Sequence, residues 1–249
     1  MLKRIMTNKQ LITDYDEIVS FLERDLIKNM NMINFMEDNH IHSLERIGES
    51  VLMRGDRDHR WVYISTPDEK GLATVASHLG AEDKYLAIIE DWMIPTLTGH
   101  RDIVWQLTTM KMVLAPDVWL PQTAVHHIFP LSVDDAHTIM DNSHYGAFTS
   151  AAYLQERINR GPSGGIRLDG KLVAWILTHD DGAIGTLHVL DDFRRQGFAL
   201  DLLRFLSQEV RDAGRLPFAQ IEEDNVKSLN LVSKLGYTKD RRVHWFKVE

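Results

Sequence analysis

Apolar positions recur at helical spacing in TDYDEIVSFLERDLIKNM, where Ile18, Phe21, Leu22, Leu26 and Met30 fall on one side after a Thr13 to Asp16 start of capping-box type. This predicts an amphipathic helix. SVLMR and HRWVYIS are richer in β-branched and aromatic residues and are separated by GDRD, so residues 50–65 read as a hairpin. DEKGLATVASHLG predicts a second helix that ends at Gly80. YLAIIEDW and DIVWQLTTMKMVL follow as apolar segments, the latter alternating as a strand does. LAPDVWLPQTAVHH then brings prolines at 116 and 121 and no strong period. We place a domain boundary there, giving an N-terminal half of residues 1–125 and a C-terminal half of residues 126–249.

The C-terminal half is punctuated more sharply. Ser132 with Asp135 marks a helix start, SAAYLQERINR reads as another helix, and GPSGG breaks the chain before a set of strands. Asp169-Gly170 separates GGIRL from KLVAWILTH, a strong hairpin signal, and Asp181-Gly182 repeats the device before AIGTLHVL. Residues 164–190 therefore predict an antiparallel meander. A helix from about Gly197 to Gly214, a strand in PFAQIEE, a helix from about Asn225 to Lys234 and a last strand in RRVHWFKV complete the order ααβββαβαβ. Its one strand-helix-strand step requires a parallel pair.

Composition narrows the function classes. At 249 residues, 44% hydrophobic and 26% charged, the chain is an ordinary globular one, long enough for one large domain or two smaller ones. A net charge of −8 argues against a broad basic face for duplex nucleic acid, and the small basic and aromatic stretch RRVHWFKV reads as a terminal strand. Without cysteine there is no disulfide, thiolate nucleophile or thiolate metal site. The N-terminal stretch lacks an apolar run of signal-peptide length and no stretch reaches about 18 apolar residues, so a soluble, cytoplasmic protein with no membrane or nucleic-acid partner is expected. His40-x-His42 and His126-His127 have no acidic partner at a spacing that fixes a metal geometry, and no metal is expected. The six tryptophans and ten methionines read as core, although Trp61, Trp92 and Trp105 also suit an apolar acyl or amine pocket.

An acidic chain that sets Arg194, Arg195 and Gln196 before a glycine and a helix-forming run, RRQGFALDLL, raises the question of what those cations meet. A strand ending at Val189-Leu190 and feeding a helix after Gly197 leaves the first helical amides unpaired, and amides and helix dipole together suit a phosphate. Arginines facing that phosphate add charge-assisted bonds of roughly 1.5–3 kcal/mol each. Taken alone, Arg-x-x-Gly-x-Ala fits a plain helix start equally well.

The wider context is specific. ILTHDDGAIGTLHVLDDF leading into RRQGFALDLLRFL, with IEEDNVKSLNLVSKLGY about 25 residues on, closely resembles the two core motifs of the GNAT superfamily of acyl-CoA-dependent N-acyltransferases, and within it the glycine N-acyltransferase branch. The resemblance covers residues 126–249 and, in outline, the first half. It implies an α+β GNAT fold, a mixed central sheet flanked by helices, with a degenerate GNAT-like N-terminal half. It further implies that Leu187, His188 and Val189 run beside the pantetheine arm, and that Arg194, Arg195, Gln196, Gly197, Phe198 and Ala199 wrap the pyrophosphate. Asn225 matches the cofactor-arm asparagine, with Ser228 and Lys234 following, and IGTLHVL and FAQIEE would form the splayed parallel pair.

In two places the sequence departs from the family pattern. Many relatives carry a tyrosine where Val232 stands, to protonate the departing sulfur; with a thiol pKa of about 8.5, leaving unprotonated costs only roughly 2 kcal/mol. Many also carry a glutamate base where Ala183 stands. An amine of pKa about 10.4 needs roughly 4–5 kcal/mol to supply its free base at neutral pH, so this loss matters more. Replacement candidates are Glu222 or Glu223, which strand alternation sends to opposite faces, with Glu222 preferred, and His188, which fits a structural strand histidine as well. The expected activity is transfer of an acyl group, acetyl foremost, from acetyl-CoA or another acyl-CoA to a primary amine of a small molecule or amino acid by direct attack. A non-catalytic acyl-CoA sensor of the same fold is the alternative.

Overall fold

The structure, a computed structural model, describes residues 15–121, 125–143 and 149–249, which form two compact units. The first ends at Leu107 and takes back His244–Glu249; the second spans Thr108–Val243.

The first unit begins with α1 (Tyr15–Leu22) and α2 (Leu26–Asp38), joined by a 3₁₀ turn at Glu23–Asp25. The periodicity predicts one helix, with Leu26 on its apolar side. Asp25 instead restarts the helix by accepting from the Lys28 amide at 3.2 Å, and this change of phase leaves Leu26 42% exposed while Met30 is buried. Thr13, the other half of the predicted cap, lies outside the described residues. There follow β1 (His40–Ile47), β2 (Ser50–Asp56), β3 (Arg60–Ser65), α3 (Glu69–Ala76), β4 (Tyr85–Ile89), α4 (Ile94–Thr98) and β5 (Ile103–Val113). The predicted hairpin is β2 with β3, in register from Val51↔Ser65 to Asp56↔Arg60. The strand order is β1-β2-β3-β4, continued by the end of β10 (Thr238–Val248), with β3 and β4 parallel. Alternate residues of β2 feed opposite cores, Val51 and Met53 meeting α1 and α2, and Leu52 meeting α3.

The second unit contains α5 (Asp135–Asp141), α6 (Ala151–Arg160), β6 (Ser163–Leu168), β7 (Lys171–Thr178), β8 (Ile184–Val189), α7 (Phe198–Asp212), β9 (Phe218–Ile221) and α8 (Val226–Lys234), in strand order β6-β7-β8-β9-β5. The meander forms as read, with Asp169 at φ 50° and Gly170 at φ 78° giving the left-handed pair that a tight hairpin demands. Helix α5 starts where Ser132 donates its amide to Asp135 at 2.8 Å, and Ser150 caps α6. One core lies between the sheet and α7 with α8, built on Val173, Ile176, Ile184, Leu202, Leu206 and Ala219. The other face carries α5 and α6 over Leu172, Trp175 and Leu177. β7 serves both, which explains its unbroken apolar run.

The order ααβββαβαβ thus occurs twice, α1 to β5 and α5 to β10. The last strand of each series crosses over: Met110–Val113 of β5 pair with β9, while His244–Lys247 of β10 pair with β4. The expected boundary near residue 125 therefore falls inside the second unit, because pairing to β9 draws residues from 108 onward into it before the prolines are reached.

Several composition-based readings change. Among the tryptophans only Trp175 is in the buried core; Trp61, Trp92 and Trp105 are half-buried and Trp119 is 74% exposed. In RRVHWFKV, Phe246 is fully buried, Trp245 is half-buried against the α1–α2 core, and His244 is held between Asp91 and Gln106.

Tyr237 closes the second unit's core. Its hydroxyl lies 2.8 Å from Ser207 Oγ, whose own proton goes to the Leu203 carbonyl at 2.6 Å, so the phenol is the donor. Burial holds this phenol well above the ordinary tyrosine range. A pKa raised in the folded state contributes stability that is complete below the unfolded value of about 10 and is lost as pH rises beyond it. Urea midpoints are expected to fall between about pH 9 and pH 11, and Tyr237→Phe is expected to flatten part of that decline.

Candidate functional site

The connection from β8 to α7 contains the stretch that the charge pattern singled out. After a 3₁₀ turn at Asp191–Phe193, Arg194 is extended, Arg195 is left-handed at φ 63°, and Gly197 is left-handed at φ 89° as the residue before α7. Glycine is required at 197 for its dihedral rather than for space, because the nearest atom to an added Cβ is His126 Cε1 at 3.7 Å. Among the described residues, the amides of Gln196, Gly197, Phe198 and Ala199 meet no backbone carbonyl. An anion is the natural partner for such a helix start.

The side chains of the turn do different work from its backbone. Arg194 folds onto its own loop, Nε donating to the Val189 carbonyl at 3.2 Å and the guanidinium pairing with Asp191 at 2.6 Å. Arg195 and Gln196 are exposed. Phe198 is buried in the core, so only its amide is at the turn, and Ala199 is half-buried.

A polar clamp not anticipated from sequence braces this turn. Asp201, in the first turn of α7 and buried, accepts from the Val125 amide at 3.1 Å, the His126 amide at 3.0 Å and His126 Nδ1 at 2.8 Å. Arg204 adds a 3.5 Å contact to Asp201 and donates to the Pro121 carbonyl at 2.8 Å, and Arg211 donates to the carbonyls of Ala115 and Val118. The His126 ring stands edge-on to Phe198 at 4.4 Å. His126 thus has an acidic partner 75 residues away, as His40 and His42 have one in Asp56 at 3.1 and 3.8 Å. Sequence spacing carries no signal for either. Among the described residues no group of three His, Asp or Glu gathers as a metal-ligand set.

Strands β8 and β9 are the parallel pair, registered only at Ile184↔Ala219. Beyond it β8 keeps its bonds to β7 alone, with a bulge: Leu177↔Gly185 is followed by Trp175↔His188, one extra residue on β8, and Thr186 takes φ 51°. Leu187 and Val189 pack against the α7–α8 core, whereas the His188 ring stacks on Trp175 at 4.8 Å and 18°. Their backbones, not their side chains, line the parting of the strands.

Glu222 and Glu223 lie past the end of β9 in the turn before α8, so strand alternation does not apply to them; Glu223 meets Arg242 at 3.6 Å, and the Glu222 carbonyl accepts from the Asn225 amide. Asn225 Oδ1 caps α8 by accepting from the Ser228 amide at 3.1 Å. Lys234 is at the other end of α8, roughly 13 Å away at 1.5 Å per residue, and is not brought to Asn225. Ala183 and Val232 are both buried, so neither position offers an open place for a proton-carrying group.

The first unit shows what closing such a site involves. Its parallel pair, β3 with β4, stays registered through Trp61↔Tyr85, Val62↔Leu86 and Tyr63↔Ala87. Its equivalent helix start is capped from within, Asp68 Oδ1 accepting from the Gly71 amide at 2.7 Å. A carboxylate already sits where an anion would bind.

Amides at the start of α7 that meet no backbone carbonyl among the described residues lie beside parallel strands that part after one registered pair, and solved structures of the GNAT fold share this chain's architecture. A Drosophila protein determined by a structural genomics consortium superposes with a TM-score of 0.78 at 20% identity, over 94% of this chain and 95% of that one. A GCN5-related N-acetyltransferase from Kribbella flavida gives 0.58 at 17%, over 95% and 96%. A tandem GNAT protein from the clavulanic acid biosynthesis pathway gives 0.55 at 14%, over 96% and 97%. More narrowly, residues 164–246 match the FR47-like protein family. No curated protein matches the chain, and none of these three structures is named as a glycine N-acyltransferase.

Asp201→Ala is expected to lower stability by about 1–3 kcal/mol, since it removes charge-assisted, part-buried bonds to the amides of Val125 and His126. Urea unfolding monitored by circular dichroism measures this.

Proposed function

We propose that the chain is an acyl-CoA-dependent N-acyltransferase whose site lies in the second unit, with the first half a degenerate GNAT-like domain. One observation carries the reading: the left-handed turn at Gly197 presents amides that, among the described residues, meet no backbone carbonyl at the start of α7, beside the place where β8 leaves β9. The amides of Gln196 to Ala199 suit the cofactor's diphosphate, and the exposed Arg195 supplies charge. Arg194 holds Asp191 against the loop and would exchange that partner for phosphate. The backbone of Leu187 to Val189 suits the pantetheine amides, and a backbone amide near Val189 suits the thioester oxygen as charge develops on it. Asn225 keeps its amide nitrogen for the cofactor arm while its oxygen caps α8.

The acceptor is a primary amine of a small molecule or amino acid that attacks the thioester carbon directly. No cysteine exists to form an acyl-enzyme. The fold repeat supports a degenerate first half, since its own helix start is filled by Asp68. We assign the reaction to the cytoplasm, in keeping with a chain free of cysteine; among the described residues no helix is long and apolar enough to cross a membrane.

A second reading, an acyl-CoA sensor without turnover, is favoured by the buried Ala183 and Val232. Calorimetry with acetyl-CoA and assay of free thiol release across a panel of primary amines separate the two. Binding with amine-dependent release supports the transferase; binding without release supports the sensor. In either case Arg194→Glu with Arg195→Glu is expected to weaken binding roughly ten- to a hundredfold, from lost charge-assisted bonds. Unchanged affinity in that variant sinks the assignment of the turn.

A further inference from the structure

With alanine buried at 183 and Glu222 and Glu223 past the end of β9, the incoming amine still needs a group to take its proton. We infer that His179 is that base, its imidazole held over Gly185 of β8 by Tyr153 of α6. The inference rests on the acyltransferase reading of the same site.

The β7–β8 turn sets the imidazole in place. His179 donates its amide to the Ala183 carbonyl at 2.8 Å, its carbonyl accepts from Gly182 at 3.0 Å, and Asp181 Oδ1 accepts from the Ala183 amide at 3.1 Å. A Cβ built on Gly185 would overlap Nε2 and Cδ2 of His179. The ring therefore occupies the space that a side chain at 185 would take, with Nε2 foremost. Ile184 points into the α7–α8 core, so Gly185 faces the opposite side, the side on which His188 stacks on Trp175. His179 thus lies one residue from the bulge at Thr186 and next to Ile184, the last β8 residue registered with β9.

The hydrogen bonds select the basic nitrogen. Tyr153 Oη lies 3.1 Å from His179 Nδ1 and 3.3 Å from Asp180 Oδ1. The Asp180 carboxylate is the stronger acceptor for the single phenol proton, and with that proton directed to it Nδ1 donates to Oη and the lone pair is left at Nε2. Burial, then the charges of Asp180 and Asp181, hold the Tyr153 phenol well above its ordinary range, so it remains a donor. The charged groups acting on the Tyr153 phenol are Asp180 and Asp181 of the turn and Arg157 of α6, whose Nε donates to the Thr178 carbonyl.

In the reaction, the acceptor ammonium gives one proton to Nε2, which passes it to water. The neutral nitrogen attacks the thioester carbon, the C–N bond forms and the C–S bond breaks. The second proton leaves nitrogen as the amide forms and ends on the departing sulfur.

Thiol release from acetyl-CoA with a panel of primary amines, followed across pH beside calorimetric CoA binding, tests this. In His179→Gln, kcat is expected to fall roughly 10²- to 10⁴-fold, the acid limb of the pH profile to vanish, and CoA affinity to stay unchanged. Gly185→Ala keeps the histidine but displaces its ring and is expected to show the same loss, a check should His179→Gln fail to fold. Tyr153, a positioning residue, is expected on change to phenylalanine to give a smaller loss with a displaced acid limb. Wild-type turnover and an intact acid limb in both His179→Gln and Gly185→Ala overturn the assignment of His179 alone. A wild type that binds CoA but releases no thiol with any amine overturns the transferase reading and this inference with it.

Discussion

Strand β8 forms hydrogen bonds to β7 along its length but to β9 at its first residue only, and the chemistry proposed for this protein follows from that shortfall. Backbone groups that turn toward a missing neighbour must find another partner. An extended ligand that carries amides of its own can act as the absent strand. The first unit obeys the same topology without the shortfall, keeping its parallel strands in register and capping its helix from within. Two chains of events that begin from the same element order end in opposite outcomes, one sealed and one open.

Opening the strand pair has an energetic cost, and its sources can be named. Thr186 and Arg195 are left-handed without being glycine, each of order 1–3 kcal/mol. The surroundings that hold them there are the apolar anchors Leu187, Val189 and Phe198, and the Asp201 clamp on the segment before β6. Strain, core and clamp occupy one face of β8. The other face is given to His179, Tyr153 and His188.

Most of the fold was legible because its signals are local. Asp169-Gly170, Gly197 and the helix start at about Asn225 each report on backbone within a few residues, and each lies where the pattern put it. The restart of the first helix at Asp25 was hidden because an unbroken apolar period outweighed a single capping aspartate. The division of the chain was misplaced because prolines punctuate locally, whereas the pairing of β5 with β9 joins residues about 110 positions apart. The same distance effect governs the site. The glycine turn was readable, while Asp201 with His126, and Tyr153 with His179, are polar pairs that only the tertiary fold assembles. A bulge such as that at Thr186 leaves no composition signature, yet it decides which side of β8 each following residue faces.

The exchange of final strands between the two series bears on how the molecule is made. Residues 244–248 complete the sheet of the first unit by pairing with β4, yet they are synthesised after the whole second unit. During translation the open edge of β4 must wait, with Leu86 and Ile89 lacking the cover of Phe246 and Val248. The sealed half is therefore completed by a strand that is made only after the second unit has been synthesised.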